Sequence, residues 1–416
     1  MDQRNNSNRR WLILAAYTLV ALSSQAIWLN FSGIAVPQVE TIYRVNVSEI
    51  GYLAAFWPLI FIPLSIPTGI LVDRIGFRKV VSIGALIIAF FSWMRIFAGR
   101  DFLMLVVFQS LAGIGQPFIF NGISKIAGTW FPAGEQAVAT GVGTLGQILG
   151  MIVALIVAPL MVPLSSFSEL RTNMIVFSLI ATVAFILFFI ISRENSSFIP
   201  SIDKNLVSEI KGLLNIRNII LLMALFFIGV GIFSGLAQWI ESMLASREVS
   251  SLTGGIIAAS MLISGIAGMI VIPYIADKRS MLKQFIQINS LIAAVFLFLF
   301  AFRANIAIYF VIAIVIGFFL LSLAPVGLQL SLETAGEKRS GTSASLIWLA
   351  SQVGALFLIL IMGDLGPVTF TVSRVFLPPW FLTMLVVAML TLVAFGLSFF
   401  IKNTRNSRGE VTTGKR

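Results

Sequence analysis

The sequence contains no cysteine and no histidine. Without cysteine there is no disulfide framework, no thiolate nucleophile and no iron–sulfur ligation, and the redox compartment leaves no mark on the chain. Without histidine, the commonest metal ligand and the commonest neutral-pH proton shuttle are missing. Charge is scarce too: 28 Lys and Arg and 17 Asp and Glu make up 11% of 416 residues, against 58% hydrophobic residues that include 36 Phe. With a mean hydropathy of +1.00, this is not the composition of the two or three soluble domains that such a length would otherwise hold. The alternating pattern of an outer-membrane barrel is also absent, because the apolar runs are apolar on every face.

What the chain does have is a series of apolar runs of about 20 residues or more, the length a helix needs to cross a ~30 Å hydrocarbon core. Marking them between polar breaks gives twelve expected spans. The first six cover roughly 11 to 36, 48 to 72, 79 to 98, 103 to 129, 136 to 163 and 172 to 192. The second six cover roughly 217 to 244, 252 to 276, 284 to 302, 304 to 330, 341 to 363 and 378 to 401. The longest polar break, 193–216, reads as a linker with a short surface helix, which leaves a six-span half at 1–192, another at 217–402 and a tail at 403–416. The opening MDQRNNSNRRWLILAAYTLVALSSQAIWL is too long in its apolar run, and lacks the small-residue exit, for a secretory signal.

The net charge of +11 does not form a basic stripe between soluble segments, so nucleic acid is not the expected partner. The charges instead flank the spans. With a cytoplasmic N-terminus, 21 of the 28 Lys and Arg fall on the inner side and 7 on the outer, the asymmetry of the positive-inside rule. Both termini are therefore expected in the cytoplasm, in a multi-pass protein of the plasma membrane.

The halves also echo each other. Asp73-Arg74 after the second span matches Asp277-Lys278 after the eighth at an offset of 204; Ala133-Gly134-Glu135 matches Ala335-Gly336-Glu337 at 202; Gln147 matches Gln352 at 205. Three matches at nearly one offset indicate a repeat of half the chain, the build of carriers that rock two bundles around a midplane site.

The stretch TGILVDRIGFRKV sets Gly69, Asp73, Arg74, Gly76, Arg78 and Lys79 close together in a chain otherwise poor in charge. It resembles the signature between the second and third spans of the major facilitator superfamily, with Phe77 where a basic residue is usual. The resemblance implies a twelve-helix all-α membrane fold of two pseudo-symmetric bundles, and a gating role for these residues together with Asp277 and Lys278. In that family the aspartate contacts the N-terminal end of the eleventh span; a carboxylate is favoured at a helix N-terminus and glycine permits a tight turn. The competing reading is that these charges only mark a cytoplasmic loop.

A narrower resemblance lies in IWLNFSGI, TWFPAGEQAVATG and SGTSASLIWLASQVG, which are similar to parts of the FLVCR-type transporters of choline, ethanolamine and, in older readings, haem. In that branch a Trp on span 1, a Gln on span 5, an aromatic residue on span 7 and a Gln on span 11 enclose the ligand. Trp28 and Gln352 fall on matching positions. Gln147 lies one residue from the span 5 position, and Gln238 beside Trp239 falls where the span 7 tyrosine stands. Haem held by axial ligation would be left to Met and Tyr alone among its usual ligands in this chain.

Polar side chains within spans are tolerated when they face a cavity or a partner helix. Gln25, Trp28 and Ser32 share one face of the first span; Gln109, Gly113 and Gln116 one face of the fourth; Gly231, Ser234, Gln238 and Glu241 one face of the seventh; Trp348 and Gln352 are one turn apart on the eleventh. These faces are expected to line one central cavity, although each glutamine or serine can equally bond a neighbouring helix. Gly229, Gly231 and Gly235 suit close packing or local unwinding. Glu241 is an outer-end group, paired with Arg95 or solvated, or else the acidic wall of a cation site or a proton-linked group through which transport is coupled. Arg95 and Lys125 are expected to snorkel, and Trp11, Trp130 and Trp380 to sit in the interfacial belt. Gln109 stands where proton-linked carriers of the superfamily have arginine, and no acid lies in spans 1, 4 or 10, which weakens a proton-driven mechanism.

The expected function is therefore secondary transport of a small organic solute by alternating access, of choline type, with carriage of a small anion or neutral metabolite as the alternative. An enzyme would need a convergent catalytic set that the spans lack, and a non-transporting sensor has no obvious signalling domain here. No cofactor and no metal is expected; the expected partners are the substrate and the bilayer, with the chain a monomer.

Overall fold

A computed structural model of the protein describes residues 2–34, 36–132, 135–163, 166–194, 206–279, 281–335, 340–372 and 375–402. Its helices are α1 (Asp2–Trp28), α2 (Val36–Tyr43), α3 (Val47–Ile75), α4 (Phe77–Phe97), α5 (Phe102–Gly113), α6 (Gly115–Phe120), α7 (Gly122–Trp130), α8 (Gln136–Met161), α9 (Phe167–Ile191), α10 (Leu206–Leu214), α11 (Arg217–Ala245), α12 (Ser251–Lys278), α13 (Leu282–Leu299), α14 (Ile306–Ala335), α15 (Ser340–Leu365) and α16 (Phe381–Ser398). Among the described residues twelve spans are long and apolar enough to cross a membrane.

Two spans depart from the expected course. The first ends at Trp28 rather than near 36, because Asn30, Ser32 and Gly33 are turn formers; Ser32 N–H donates to Leu29 O at 3.0 Å, and Asn30 Nδ2 donates to Asn173 Oδ1 on α9. Ser32 therefore lies off the helical face assigned to Gln25 and Trp28. The fourth span, Phe102–Trp130, is made of α5, α6 and α7 in series. Pro117 has no N–H to offer the carbonyl of Gly113, the last residue of α5, and the helix steps at that point. Glu49 and Glu169, which flank spans, are caps: Asn46 with Glu49 starts α3, and Ser166 with Glu169 starts α9, each in a reciprocal capping box.

The chain divides into two compact units, Met1–Asp203 with Ser250–Ile256, and Lys204–Val249 with Ile257–Arg416. In the first, α1 runs along α8; in the second, α11 runs along α15. Both seams are built on glycine. A Cβ on Gly146 would lie 2.5 Å from Thr18 O, one on Gly150 would overlap Leu22 O, and one on Gly354 would overlap Phe227 O. A Cβ on Gly231 would lie 2.8 Å from Gly354 O and one on Gly235 would overlap Met362 Sδ, so in the continuous helix α11 these two glycines serve packing. Around its seam the second unit buries Leu222, Phe226, Val326, Leu330 and Ile347.

The linker helix exists as α10, with Leu213 fully buried against Ile219 and Leu346. Among the described residues the otherwise all-α architecture carries one small addition, an antiparallel pair of β1 (Phe370–Val372) and β2 (Val375–Leu377) ahead of α16, with Phe370 opposite Leu377. Ala133, Gly134, Gly336 and Glu337 of the sequence repeat, and the side chains of Asp73 and Asp277, lie outside the described residues.

The seams generate a test. Gly354→Ala forces a methyl group into a main-chain carbonyl and is expected to cost about 1–3 kcal/mol as overpacking, whereas Gly229→Ala enters open space and gains about 0.5–1 kcal/mol of helix propensity. Thermal unfolding of the two purified variants should show a marked fall in Tm for the first and none for the second.

Candidate functional site

In the first unit the polar side chains are drawn to the end of α1. Arg95, near the last turn of α4, is fully buried with 0% exposure, so it does not snorkel. Its Nη1 donates to Gln109 Oε1 on α5 at 2.9 Å, its Nε donates to Ser92 O at 3.3 Å, and its guanidinium lies 5.9 Å from the centre of the Phe31 ring. Gln109 passes the connection on, donating to Ile27 O at 3.1 Å and Trp28 O at 3.5 Å. Trp28 is itself tied down, its Nε1 donating to Ala54 O on α3 at 3.0 Å. The structure thus brings Trp28, Gln109 and Arg95 together, with Arg95 Nη2 and Gln25 Oε1 buried and without a hydrogen-bond partner. Gln116 is buried on α6, and Gln147 is half-buried on α8.

In the second unit Gln238, Trp239 and Glu241 are all buried on α11, Glu241 completely, which removes the solvated reading of that carboxylate. Trp239 is a packing residue: its Nε1 donates to Ile359 O on α15 at 2.8 Å, and its ring lies 5.6 Å from that of Trp380. Trp380 is no belt residue either. It is buried, adopts φ +67°, and covers Gly366, where a Cβ would lie 2.6 Å from its ring. On α15, Trp348 is 41% exposed and meets Phe226 edge-on at 6.0 Å, while Gln352 is half-buried.

The turn between α3 and α4 is a single residue, Gly76, at φ +87° and ψ 159°. Only glycine takes this conformation without strain, and a Cβ there would also lie 2.5 Å from the carboxyl carbon of Glu194. Glu194 accepts the backbone N–H of Phe77 at 3.3 Å and of Arg78 at 3.1 Å, a carboxylate on the N-terminus of α4. Burial pushes this carboxyl above the usual range, against the pull of those two amides and of the Lys125 and Arg78 charges. Gly69, by contrast, lies inside α3 with only Asn121 near its Cβ position and makes no turn. Arg74 is exposed; Arg78 donates through Nη2 to Phe189 O at 3.4 Å; Lys278 is exposed at the end of α12.

A family model described as Major Facilitator Superfamily matches residues 13–359. The chain belongs to the major facilitator superfamily. Among its relatives, solute carrier family 49 member A3 of Xenopus tropicalis is 24% identical over 94% of this chain and 86% of its own. The human choline/ethanolamine transporter FLVCR2 is 24% identical over 85% of this chain and 71% of its own. In fold this chain is similar to a bacterial homologue of the human lysosomal transporter Spinster, solved inward-facing and unoccupied, with a TM-score of 0.77 at 14% identity over 95% of this chain and 97% of that one. It is thus a superfamily transporter, a multi-pass membrane protein that acts on a small molecule.

Sequence reasoning missed Glu194 and Arg247. Glu194 is the first acid after the sixth span, which was a usable signal. Arg247, after α11, is buried where α13 ends: its guanidinium donates to Phe300 O at 2.7 Å, Phe302 O at 3.1 Å, Ala301 O at 3.3 Å and Tyr309 Oη at 3.2 Å. Nothing in its sequence setting distinguishes it from a loop charge.

Because Gln109 satisfies a buried cation, Gln109→Leu should destabilise by about 1–3 kcal/mol. Joint replacement, Arg95→Met with Gln109→Leu, should cost less than that single change, since no buried charge is then left without its acceptor. Unfolding midpoints of the two variants decide it; equal or greater loss in the double variant contradicts the assignment.

Proposed function

We propose that this transporter carries a small organic cation or amine of choline type by alternating access, its two units moving as bodies. The observation that carries the reading is the 24% identity with choline/ethanolamine transporters over 85% of the chain, together with Trp28 and Gln352 at the positions that resemblance singles out. The π-face of Trp28 would meet the ammonium, an interaction worth about 2 kcal/mol or more when desolvated. Gln352 and Gln147, both half-buried, would orient a hydroxyl or other polar tail. Gln25, Gln116 and Gln238 would complete the polar lining, and Glu241 would supply the negative charge. Trp239 supports α15 from behind, and Trp348, where exposed, is the better second aromatic. Gln109 belongs to the site as the brace of Arg95 and of the Trp28 backbone.

A second reading has its own support. Arg95 is a buried cation with one free N–H group beside the end of α1, a feature suited to a carboxylate, so a small organic anion is the competing substrate class. Uptake into proteoliposomes separates the two. Choline-like cations should be taken up saturably, and Gln352→Ala should raise KM several-fold with the melting temperature unchanged. Trp28→Phe, which keeps a ring, should be less damaging than Trp28→Ala. Uptake of carboxylates alone selects the anion reading, and uptake of neither class overturns both and points to a neutral metabolite.

Gly69, Asp73 and Arg74 on α3, Gly76 in the turn and Arg78 on α4, with Asp277 and Lys278 after the eighth span, would form the gate, on the cytoplasmic side by the positive-inside count and in the plasma membrane. Asp73→Asn should shift the balance of conformations, lowering turnover while substrate affinity stays within about twofold of wild type, as read by binding and uptake on the same preparation.

A further inference from the structure

A cavity of about 780 Å³ opens in the first unit where the start of α4 meets the end of α9. Its mouth carries Arg74, Arg78 and Lys79, and its wall is formed by Ile83, Leu86 and Phe189. One carboxylate, Glu194, also lines it, but its oxygens already hold the backbone N–H groups of Phe77 and Arg78. Three cations against one engaged carboxylate leave the cavity positive. Arg78 is set in place, its guanidinium 5.7 Å from the Phe189 ring centre and bonded to Phe189 O, while Arg74 and Lys79 are exposed and can reach a ligand.

The wall tells which anion fits. Ile83, Leu86 and Phe189 are 40%, 49% and 52% exposed within membrane spans, so the apolar side of the cavity continues into the lipid-facing surface. A free phosphate would use the basic mouth and leave that wall unfilled. A phospholipid uses both, with its headgroup at the span boundary and an acyl chain along the wall. We propose that this cavity is a binding site for an anionic phospholipid, its phosphodiester held by Arg74, Arg78 and Lys79 and one acyl chain lying on Ile83, Leu86 and Phe189.

The test uses the full chain purified in detergent and titrated with phosphatidylglycerol, with phosphatidylcholine of the same acyl chains, and with glycerol phosphate, read by native mass spectrometry and thermal shift. Phosphatidylglycerol should give one saturable adduct and raise the melting temperature; the other two should do neither at the same concentration. Arg74→Gln with Lys79→Gln, two exposed positions, should weaken that adduct about 25-fold, at about fivefold per cation. The charge-matched pair Arg279→Gln with Lys283→Gln in the second unit should leave it unchanged. Equal binding of the two lipids, competition by glycerol phosphate, or equal loss in the control pair would each overturn the proposal.

Discussion

Backbone-to-backbone contact at glycine underlies both units. In lipid, two apolar helices gain nothing from hiding their side chains from water, so association depends on packing and on hydrogen bonds that only short distances permit. At Gly146 and Gly150 against α1, and at Gly354 against α11, no side chain stands between the helices. The polar tips nearby then reach carbonyls of neighbouring helices: Tyr17 donates to Ile119 O, Trp28 to Ala54 O, Gln109 to Ile27 O and Trp239 to Ile359 O. Each carbonyl has a second lone pair to give, so these side chains are satisfied without breaking a helix.

The same economy explains two buried cations. Arg247 sits on the carbonyls of the turn just past α13, Phe300 to Phe302, where the negative end of the helix favours it, with the Phe300 and Tyr309 rings at 5.5 and 5.4 Å. Burial still lowers its pKa, with Tyr309 opposing the shift. Arg95 has less: one amide oxygen, one carbonyl and one ring face. A carboxylate partner is thus not the only way to hold a guanidinium out of water. Amide, carbonyl and π electrons do it in parts.

Hydropathy made the spans legible, because a bilayer sets a minimum apolar length for every helix that crosses it, and most span ends are marked by Arg, Lys, Pro or a capping pair such as Asn46 with Glu49. The early end at Trp28 and the stepped fourth span were harder to read. There few residues interrupt the apolar run while the backbone turns, and the cause lies in Pro117 and in the turn formers Asn30, Ser32 and Gly33, with Asn30 bonded to Asn173, 143 positions away. The site divides in the same way. Trp28, Gln109 and Glu241 could be recognised as polar groups where lipid disfavours them, but which way a tryptophan turns its N–H depends on a partner carbonyl. The sequence therefore leaves no sign that Trp239 and Trp380 pack ring against ring or that Arg95 is buried, because both depend on neighbours distant in the chain.

Gly76 has a mechanical side. Two spans are joined by one residue whose conformation is fixed by its own φ and by a carboxylate filling the space where a side chain would be. A connection that short stores no slack. A tilt of α3 at this end must reappear as a tilt of α4, and Glu194 at the end of α9 is pulled along by the two amides it accepts. Three helices are thus geared to one pivot, and displacement at the membrane boundary is transmitted along the length of the unit instead of being absorbed in a loop.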